Sequence, residues 1–314
     1  MSGATTPIIC LLNAAAGAGP GRADPQSLAD LFAARGCQVT VKIARDGAEL
    51  ASLARRAADG SHKIVVAGGG DGTVNCIASA IVGSTTCLGV LPLGTLNHFA
   101  RDMKIPLKLE DAVSVIASGQ PRRIDVGEVN GKIFLNNSSL GLYPQVIRGR
   151  DALQQGGSGK WMAFARATAS VLLHYSQLNV QLRAGNAISL EHKTPLVFIG
   201  NNRYRLDGWN IGSRERLDEG KLWLYMAPST GPAGLAALAF STLLGRMPRS
   251  KVESFETIEC RIVTRRKWLD VATDGEITLL QTPLLYRSRP GALQVMVAGD
   301  LAAAPILAAS PQGG

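Results

Sequence analysis

The first third of the chain alternates two textures. Apolar runs at Pro7–Asn13, Lys63–Ala67 and Cys87–Leu91 read as short buried strands, and Gln38–Ile43 reads as a strand by period-two alternation. Between them, apolar residues recur at helical spacing. Leu28, Leu31 and Phe32 share one face of Asp24–Arg35, a second helix is predicted over Asp46–Ala58, and Val74, Ile77, Ala78, Ile81 and Val82 mark a third over Val74–Val82. Strands alternating with helices of this length predict a parallel sheet with helices on its faces. Ligands of such sheets sit beyond the carboxyl ends of the strands. Asn13, the turn after Ala67 and Gly94-Thr95 all fall there.

From about Arg122 the texture changes. Val126–Val129, Asn130-Gly131 and Lys132–Asn136 form a strong hairpin signal, because Asn-Gly adopts the left-handed conformations a two-residue turn requires. Gln177–Arg183, Thr194–Gly200, Lys221–Ala227, Ser254–Val263, Leu269–Thr273, Ile277–Leu280 and Leu293–Val297 are further strand candidates. Helices are predicted over Lys160–Tyr175 and Pro232–Leu244; both are apolar enough for either burial or lipid contact. The expected organisation is an α/β nucleotide-binding domain over residues 1–122 and a mostly antiparallel β domain over residues 123–299, with a tail of residues 300–314 able to return to the first domain.

Chemistry concentrates where the strand Ile64–Ala67 breaks into Gly68-Gly69-Gly70-Asp71-Gly72-Thr73. A strand turning through glycines into a helix brings backbone N–H groups and a positive helix end to a phosphate. Glycine costs backbone entropy, so four in this stretch argue for more than a plain turn. Asp71 places a carboxylate where a phosphate loop would normally avoid one, and a bridging Mg²⁺, which takes oxygen ligands, reconciles the two. No Gly-x-x-x-x-Gly-Lys-Ser/Thr loop is present, and the third position after Gly70 is Thr73, so the dinucleotide fingerprint is not met.

Gly69-Gly70-Asp71-Gly72-Thr73 resembles the signature shared by diacylglycerol, sphingosine and ceramide kinases and by NAD kinases. Leu91-Pro92-Leu93-Gly94-Thr95-Leu96-Asn97-His98-Phe99-Ala100-Arg101 is similar to the lipid kinases rather than the NAD kinases. Ile124-Asp125-Val126-Gly127, Phe134–Gly141, Leu217–Leu222 and Asp274-Gly275-Glu276 follow in that family's order over nearly the whole chain. The resemblance implies an ATP- and Mg²⁺-dependent lipid kinase with its active site in an interdomain cleft. It implies nucleotide contacts from Asn13, Gly17, Gly69, Gly70, Asp71, Gly72, Thr73, Asn75, Gly94, Thr95 and Asn97. It makes Asp71 the Mg²⁺–nucleotide contact and Glu276 the base that takes the lipid hydroxyl proton, with Asp274 orienting Glu276 or helping to hold Mg²⁺. It also implies a structural Mg²⁺ held by Glu219 and the carbonyls of Arg216 and Lys221, although Arg216 and Lys221 could neutralise that loop without metal. The chain departs from the pattern at several points: the loop after Asn13 lacks its proline, the nearby basic residue is displaced to Arg22, and Cys76, His98 and Glu219 replace more usual acids. Thr95 could instead cap the next helix. An NAD kinase or other small-molecule kinase, and a non-catalytic lipid- or nucleotide-binding regulator, are the competing readings.

Composition adds a partner. The 314 residues carry a formal net charge of +9 with 5% aromatic content and no nucleic-acid motif, so an anionic membrane surface suits the charge better than nucleic acid. Arg265-Arg266-Lys267-Trp268 could sit on such a headgroup layer or form a solvated turn. No apolar run approaches the ~20 residues of a membrane span, which predicts a cytoplasmic protein peripheral to the inner membrane face. A homodimer is left open. Cys10, Cys37, Cys76, Cys87 and Cys260 show neither paired nor metal-ligand spacing and read as free thiols.

Overall fold

The computed structural model describes residues 7–14, 24–145, 177–184, 188–205, 213–214, 216–228, 231, 234 and 253–299. Gly17, Arg22, the tail and the two helices expected at Lys160–Tyr175 and Pro232–Leu244 lie outside the described residues, apart from the isolated helical position 234. The described elements are β1 (Ile8–Asn13), α1 (Pro25–Ala33), β2 (Val39–Ala44), α2 (Gly47–Asp59), β3 (Ile64–Gly69), α3 (Asp71–Ile81), β4 (Cys87–Pro92), α4 (His98–Asp102), α5 (Leu109–Ser118), β5 (Gln120–Val129), β6 (Lys132–Phe134) and β7 (Asn137–Gly141). They continue with β8 (Leu178–Ala184), β9 (Ile188–Thr194), β10 (Leu196–Asn201), β11 (Leu222–Met226), β12 (Glu253–Thr257), β13 (Glu259–Thr264), β14 (Trp268–Thr273), β15 (Glu276–Gln281) and β16 (Leu284–Val297).

The chain divides into two compact units. The first runs to Val126 and takes in Arg216–Asp218 and the chain from Pro290 onward; the second holds Gly127–Glu215 and Glu219–Arg289. In the first unit β2, β1, β3 and β4 lie side by side in parallel, and the end of β16 joins β4 in the same sense through Gln294 and Val295. β3 and β4 are buried along their whole length, the expected state of strands covered on both faces. α1 begins as its sequence dictates, with Asp24 accepting the Ser27 N–H and Pro25 in the first turn. α2 starts likewise at Asp46, whose side chain accepts the Glu49 N–H.

The second unit is built from antiparallel strands. One sheet pairs β9, β8, β13 and the start of β16, and the β5–β6 hairpin turns through Asn130 and Gly131, both at positive φ as an Asn-Gly turn demands. The other runs β12-β11-β10-β7-β14-β15. Inward residues of both sheets, among them Leu140, Ile199, Leu224, Val271, Ile262 and Tyr286, form one core.

Three sequence expectations change in detail. Ser254–Val263 is not one strand: it breaks at Ile258 into β12 and β13, which belong to different sheets. β7 was not anticipated, because Asn137, Ser138 and Ser139 are poor strand signals; Ser138 and Ser139 are nonetheless fully buried, and the Ser138 hydroxyl meets the Tyr286 hydroxyl at 3.0 Å. α3 starts at Asp71 rather than Val74, so the glycine turn is the first turn of the helix. All five cysteines are free, and burial pushes the thiols of Cys10 and Cys260 up to about 12.

Candidate active site

β3 and β4 are neighbours in register, with Gly69 opposite Pro92. Parallel strands end at the same edge, so their exit turns emerge together. The turns touch: a Cβ added to Gly94 would lie 2.4 Å from the Gly70 Cα. Gly94 therefore requires glycine for close approach rather than for an unusual φ, whereas a Cβ on Gly70 would make a tight contact of 3.3 Å with the Gly94 Cα. The Leu93 N–H donates to the Gly69 carbonyl at 3.1 Å and links the two exits again.

Asp71 closes this junction. Its carboxylate accepts the backbone N–H groups of His98 (3.1 Å) and Phe99 (3.0 Å), the first residues of α4. A carboxylate at a helix N-terminus meets both free N–H groups and the positive dipole end. Thr95 is therefore not the cap of that helix. Asn97 holds the cap position at φ 51°, and its carboxamide accepts the Gly94 N–H and donates to the carbonyls of Gly94 and Pro92. Thr95 is exposed, and the Arg101 guanidinium, which sequence reasoning did not single out, donates to the Leu96 carbonyl at 3.0 Å.

At the other side of the junction, α3 receives no side-chain cap from Gly70. The N–H groups of its first turn, from Asp71 to Thr73, have no carbonyl within the helix to accept them, and they lie at the helix end where an anion is favoured. Thr73 is buried behind Gly69, where a Cβ would strike its hydroxyl at 2.3 Å. Asn75 is also buried, and its Oδ1 has no partner. Asn13 ends β1, the strand next to β3. Cys76 points away from the junction toward α2, where its thiol donates to the Gly47 carbonyl at 3.4 Å.

In the second unit, Asp274 and Gly275 occupy the β14–β15 turn at φ 49° and 86°. The Asp274 carboxylate accepts the N–H groups of Leu135 (2.7 Å), Asn136 (2.8 Å) and Asn137 (3.0 Å), and so fixes the turn that leads into Glu276. Desolvation raises the pKa of this carboxyl, and the three N–H donors and Arg214 work against that rise. Glu276 opens β15 with its side chain 63% exposed, 3.9 Å from the Lys132 ammonium. Lys132 also reaches the Thr278 hydroxyl. It was missed in the sequence because only the pairing of distant segments brings it to Glu276.

At the Asp218-Glu219-Gly220 turn, Arg216 turns its guanidinium to Asp218 at 2.9 Å, and Asp218 also takes Arg122 at 2.9 Å. Burial pulls the Asp218 pKa upward, but hydrogen bonds and charge from Arg216 and Arg122 outweigh it and hold the carboxyl below the ordinary aspartate value. Lys221 pairs with Glu256, and its carbonyl accepts the Asn202 N–H. Glu219 donates its N–H to Asn202 Oδ1 at 3.1 Å, while its Oε2 is buried without a partner. A buried carboxylate oxygen lacking a donor is costly unless a cation meets it, so this residue fits the expected metal position. Among the described residues, no three His, Cys, Asp or Glu side chains gather as a metal cluster. A cation here would thus draw on main-chain oxygens.

Known proteins resemble this chain in sequence and in fold. Residues 7–129 match the diacylglycerol kinase catalytic domain. A Pseudomonas aeruginosa protein named as a probable YegS-like lipid kinase is 30% identical over 285 residues, 88% of this chain and 89% of that protein. A Pseudomonas savastanoi protein of the same name is 29% identical over 88% of both chains. The fold is that of a diacylglycerol kinase from Bacillus anthracis, with a TM-score of 0.73 at 20% identity over 94% of this chain and 98% of the other. An NAD kinase from Archaeoglobus fulgidus in complex with ATP shares the fold more distantly, with a TM-score of 0.51 at 9% identity over 94% of this chain and 95% of that one.

Proposed function

Because the chain belongs to the YegS-like lipid kinase family, we propose that it transfers the γ-phosphate of ATP, with Mg²⁺, to the hydroxyl of diacylglycerol or a related lipid at a membrane surface. The observation that carries the reading is the Asp71 clamp. One carboxylate fixes the turns after β3 and β4 against each other and leaves the first-turn N–H groups of α3 for phosphate. Gly69, Gly70, Gly72 and Gly94 keep the backbone close enough for that contact. Asp71 retains lone pairs for a hydrated cation beside the phosphates. Mg²⁺ bound there would neutralise phosphate charge, which phosphoryl transfer requires before any proton is moved. Glu219, with the carbonyls of Arg216 and Lys221, would hold the second, structural ion.

Glu276 is the acceptor of the lipid hydroxyl proton. It is exposed, unlike Asp274, and the nearby Lys132 ammonium steers its carboxylate. Removing a general base typically lowers turnover by about 10²- to 10⁴-fold. Labelled ATP offered with total lipid extract, and with NAD in a parallel reaction, tests the assignment. Labelled lipid is expected from the parent, and Asp71→Ala and Glu276→Ala should each abolish it while remaining folded. Full lipid phosphorylation by either variant, or label appearing in NADP alone, would overturn the reading.

A further inference from the structure

Among the described residues β15 is the last strand of its sheet, and one of its edges carries no described neighbour. In its pairing with β14, Trp268 lies opposite Gln281 and Asp270 opposite Leu279. Directly opposed residues face the same way, so Trp268, Asp270, Leu279 and Gln281 share the outward face. Leu269 and Leu280 take the alternate positions and pack on the core. The outward face leaves Trp268 50% and Leu279 56% exposed. Large apolar side chains on an open edge invite aggregation unless something covers them.

The turn leading into Trp268 is Arg265-Arg266-Lys267, all exposed. It is held in place: the Arg266 carbonyl accepts hydroxyls from Thr264 (3.0 Å) and Thr282 (3.1 Å), and the Lys267 carbonyl accepts the Thr282 N–H at 2.9 Å. Asp270 is the acid on the outward face, and Asp270 and Arg266 are each engaged in interactions of their own, which leaves Arg265 and Lys267 as the cations for a partner. Cations therefore outnumber acids at this end of the hairpin. A tryptophan beside fixed cations is the side-chain pattern of a bilayer boundary, with its ring at headgroup depth and the cations among lipid phosphates.

We propose that this hairpin edge docks the protein on an anionic bilayer, with Trp268 and Leu279 entering the headgroup boundary and Arg265 and Lys267 contacting lipid phosphates. The inference rests on the lipid kinase reading above and deepens it. β15 begins at Glu276, and at about 3.3 Å per residue Leu279 is about 10 Å further along the same strand. Glu276 belongs with Thr278 and Leu280 to the other face of that strand, so docking by this edge is separable from the chemistry.

Co-sedimentation of the full-length protein with vesicles tests it. One set is phosphatidylcholine alone; the other contains about a third phosphatidylglycerol, a composition that gives the surface potential the cations would read. Preferential binding to the anionic set, weakening as salt rises, is expected. Arg265→Ser with Lys267→Ser should weaken that binding by about tenfold or more. Trp268→Ala with Leu279→Ala should weaken it as well, while activity on detergent-dispersed lipid is unchanged in both double variants. Glu276→Ala should bind vesicles like the parent, which separates docking from chemistry. Docking without labelled lipid would overturn the kinase reading alone. Equal binding to both vesicle sets, or double variants that bind anionic vesicles as the parent does, would overturn the docking surface and leave the kinase reading standing.

Discussion

Asp71 and Asp274 do the same physical work in the two units. Each sits beside glycines in a turn, and each uses its carboxylate to hold the backbone N–H groups of a turn far away in sequence. They differ in how much of the carboxylate that work consumes. Asp274 takes three N–H groups and is buried, which commits most of its acceptor sites to the turn. Asp71 takes two, at a helix start beside unsatisfied N–H groups of a second helix. The difference teaches that an acid in a family motif need not act on substrate: the Asp-Gly-Glu turn divides its labour, with Asp274 building the turn and Glu276 left exposed.

The sharpest way to break this comparison is to remove each carboxylate and read activity and stability separately. Glu276→Gln should cost about 10²- to 10⁴-fold in turnover and less than about 0.5 kcal/mol in stability, since the side chain is exposed and pairs only at 3.9 Å. Asp274→Ala should do the reverse. It orphans three N–H groups of the β6–β7 turn, and a loss of about 3 kcal/mol or more is expected in urea unfolding. A stable Asp274→Ala protein with no activity would assign Asp274 to the chemistry and dissolve the distinction.

A smaller effect tests the junction in the first unit. Gly94→Ala puts a methyl group 2.4 Å from the Gly70 Cα, and backbone cannot swing aside as a side chain can. A destabilisation of about 1–3 kcal/mol is expected, together with weaker nucleotide binding by calorimetry. Asp71→Asn keeps the shape and loses the charge, so it should cost about 1 kcal/mol in stability, the value of a helix cap, with turnover nearly lost. If Gly94→Ala binds nucleotide like the parent, the touching turns are scaffolding and not the site.

What the sequence made legible follows from what is local. The glycine turn, the buried strands β3 and β4 and the Asn-Gly hairpin are written in residues next to one another, and spacing alone places them. The clamps are not local. Asp71 meets residues of α4 because β3 and β4 happen to be neighbours in register, and Asp274 meets Leu135–Asn137 because β14 pairs with β7. No period in the chain carries that information. The break at Ile258 was hidden for a related reason: β12 and β13 continue one alternating pattern, and only their partners β11 and β16 show that they belong to different sheets. β7 escaped because its buried residues Ser138 and Ser139 carry no hydrophobic signal, and the Tyr286 hydroxyl that meets Ser138 lies far away in sequence.

A third acid tests whether N–H donors are essential to such a clamp. Asp218 is held by two guanidiniums, Arg122 and Arg216, and its pKa lies below the ordinary value despite the opposing effect of burial. A carboxyl with a depressed folded pKa contributes stability that is present above its unfolded value and is lost as pH falls through the folded one. The contribution of Asp218 should therefore be intact at neutral pH and disappear only below about pH 4, the ordinary aspartate value. Asp218→Asn lacks it at every pH. Thermal unfolding of parent and variant should differ at neutral pH by about 1 kcal/mol at most, because part of the pair faces solvent, and the two curves should converge under acid. A constant gap from neutral to acid pH would mean that Asp218 acts through its hydrogen bonds, like Asp71 and Asp274, and that its charge contributes nothing separate.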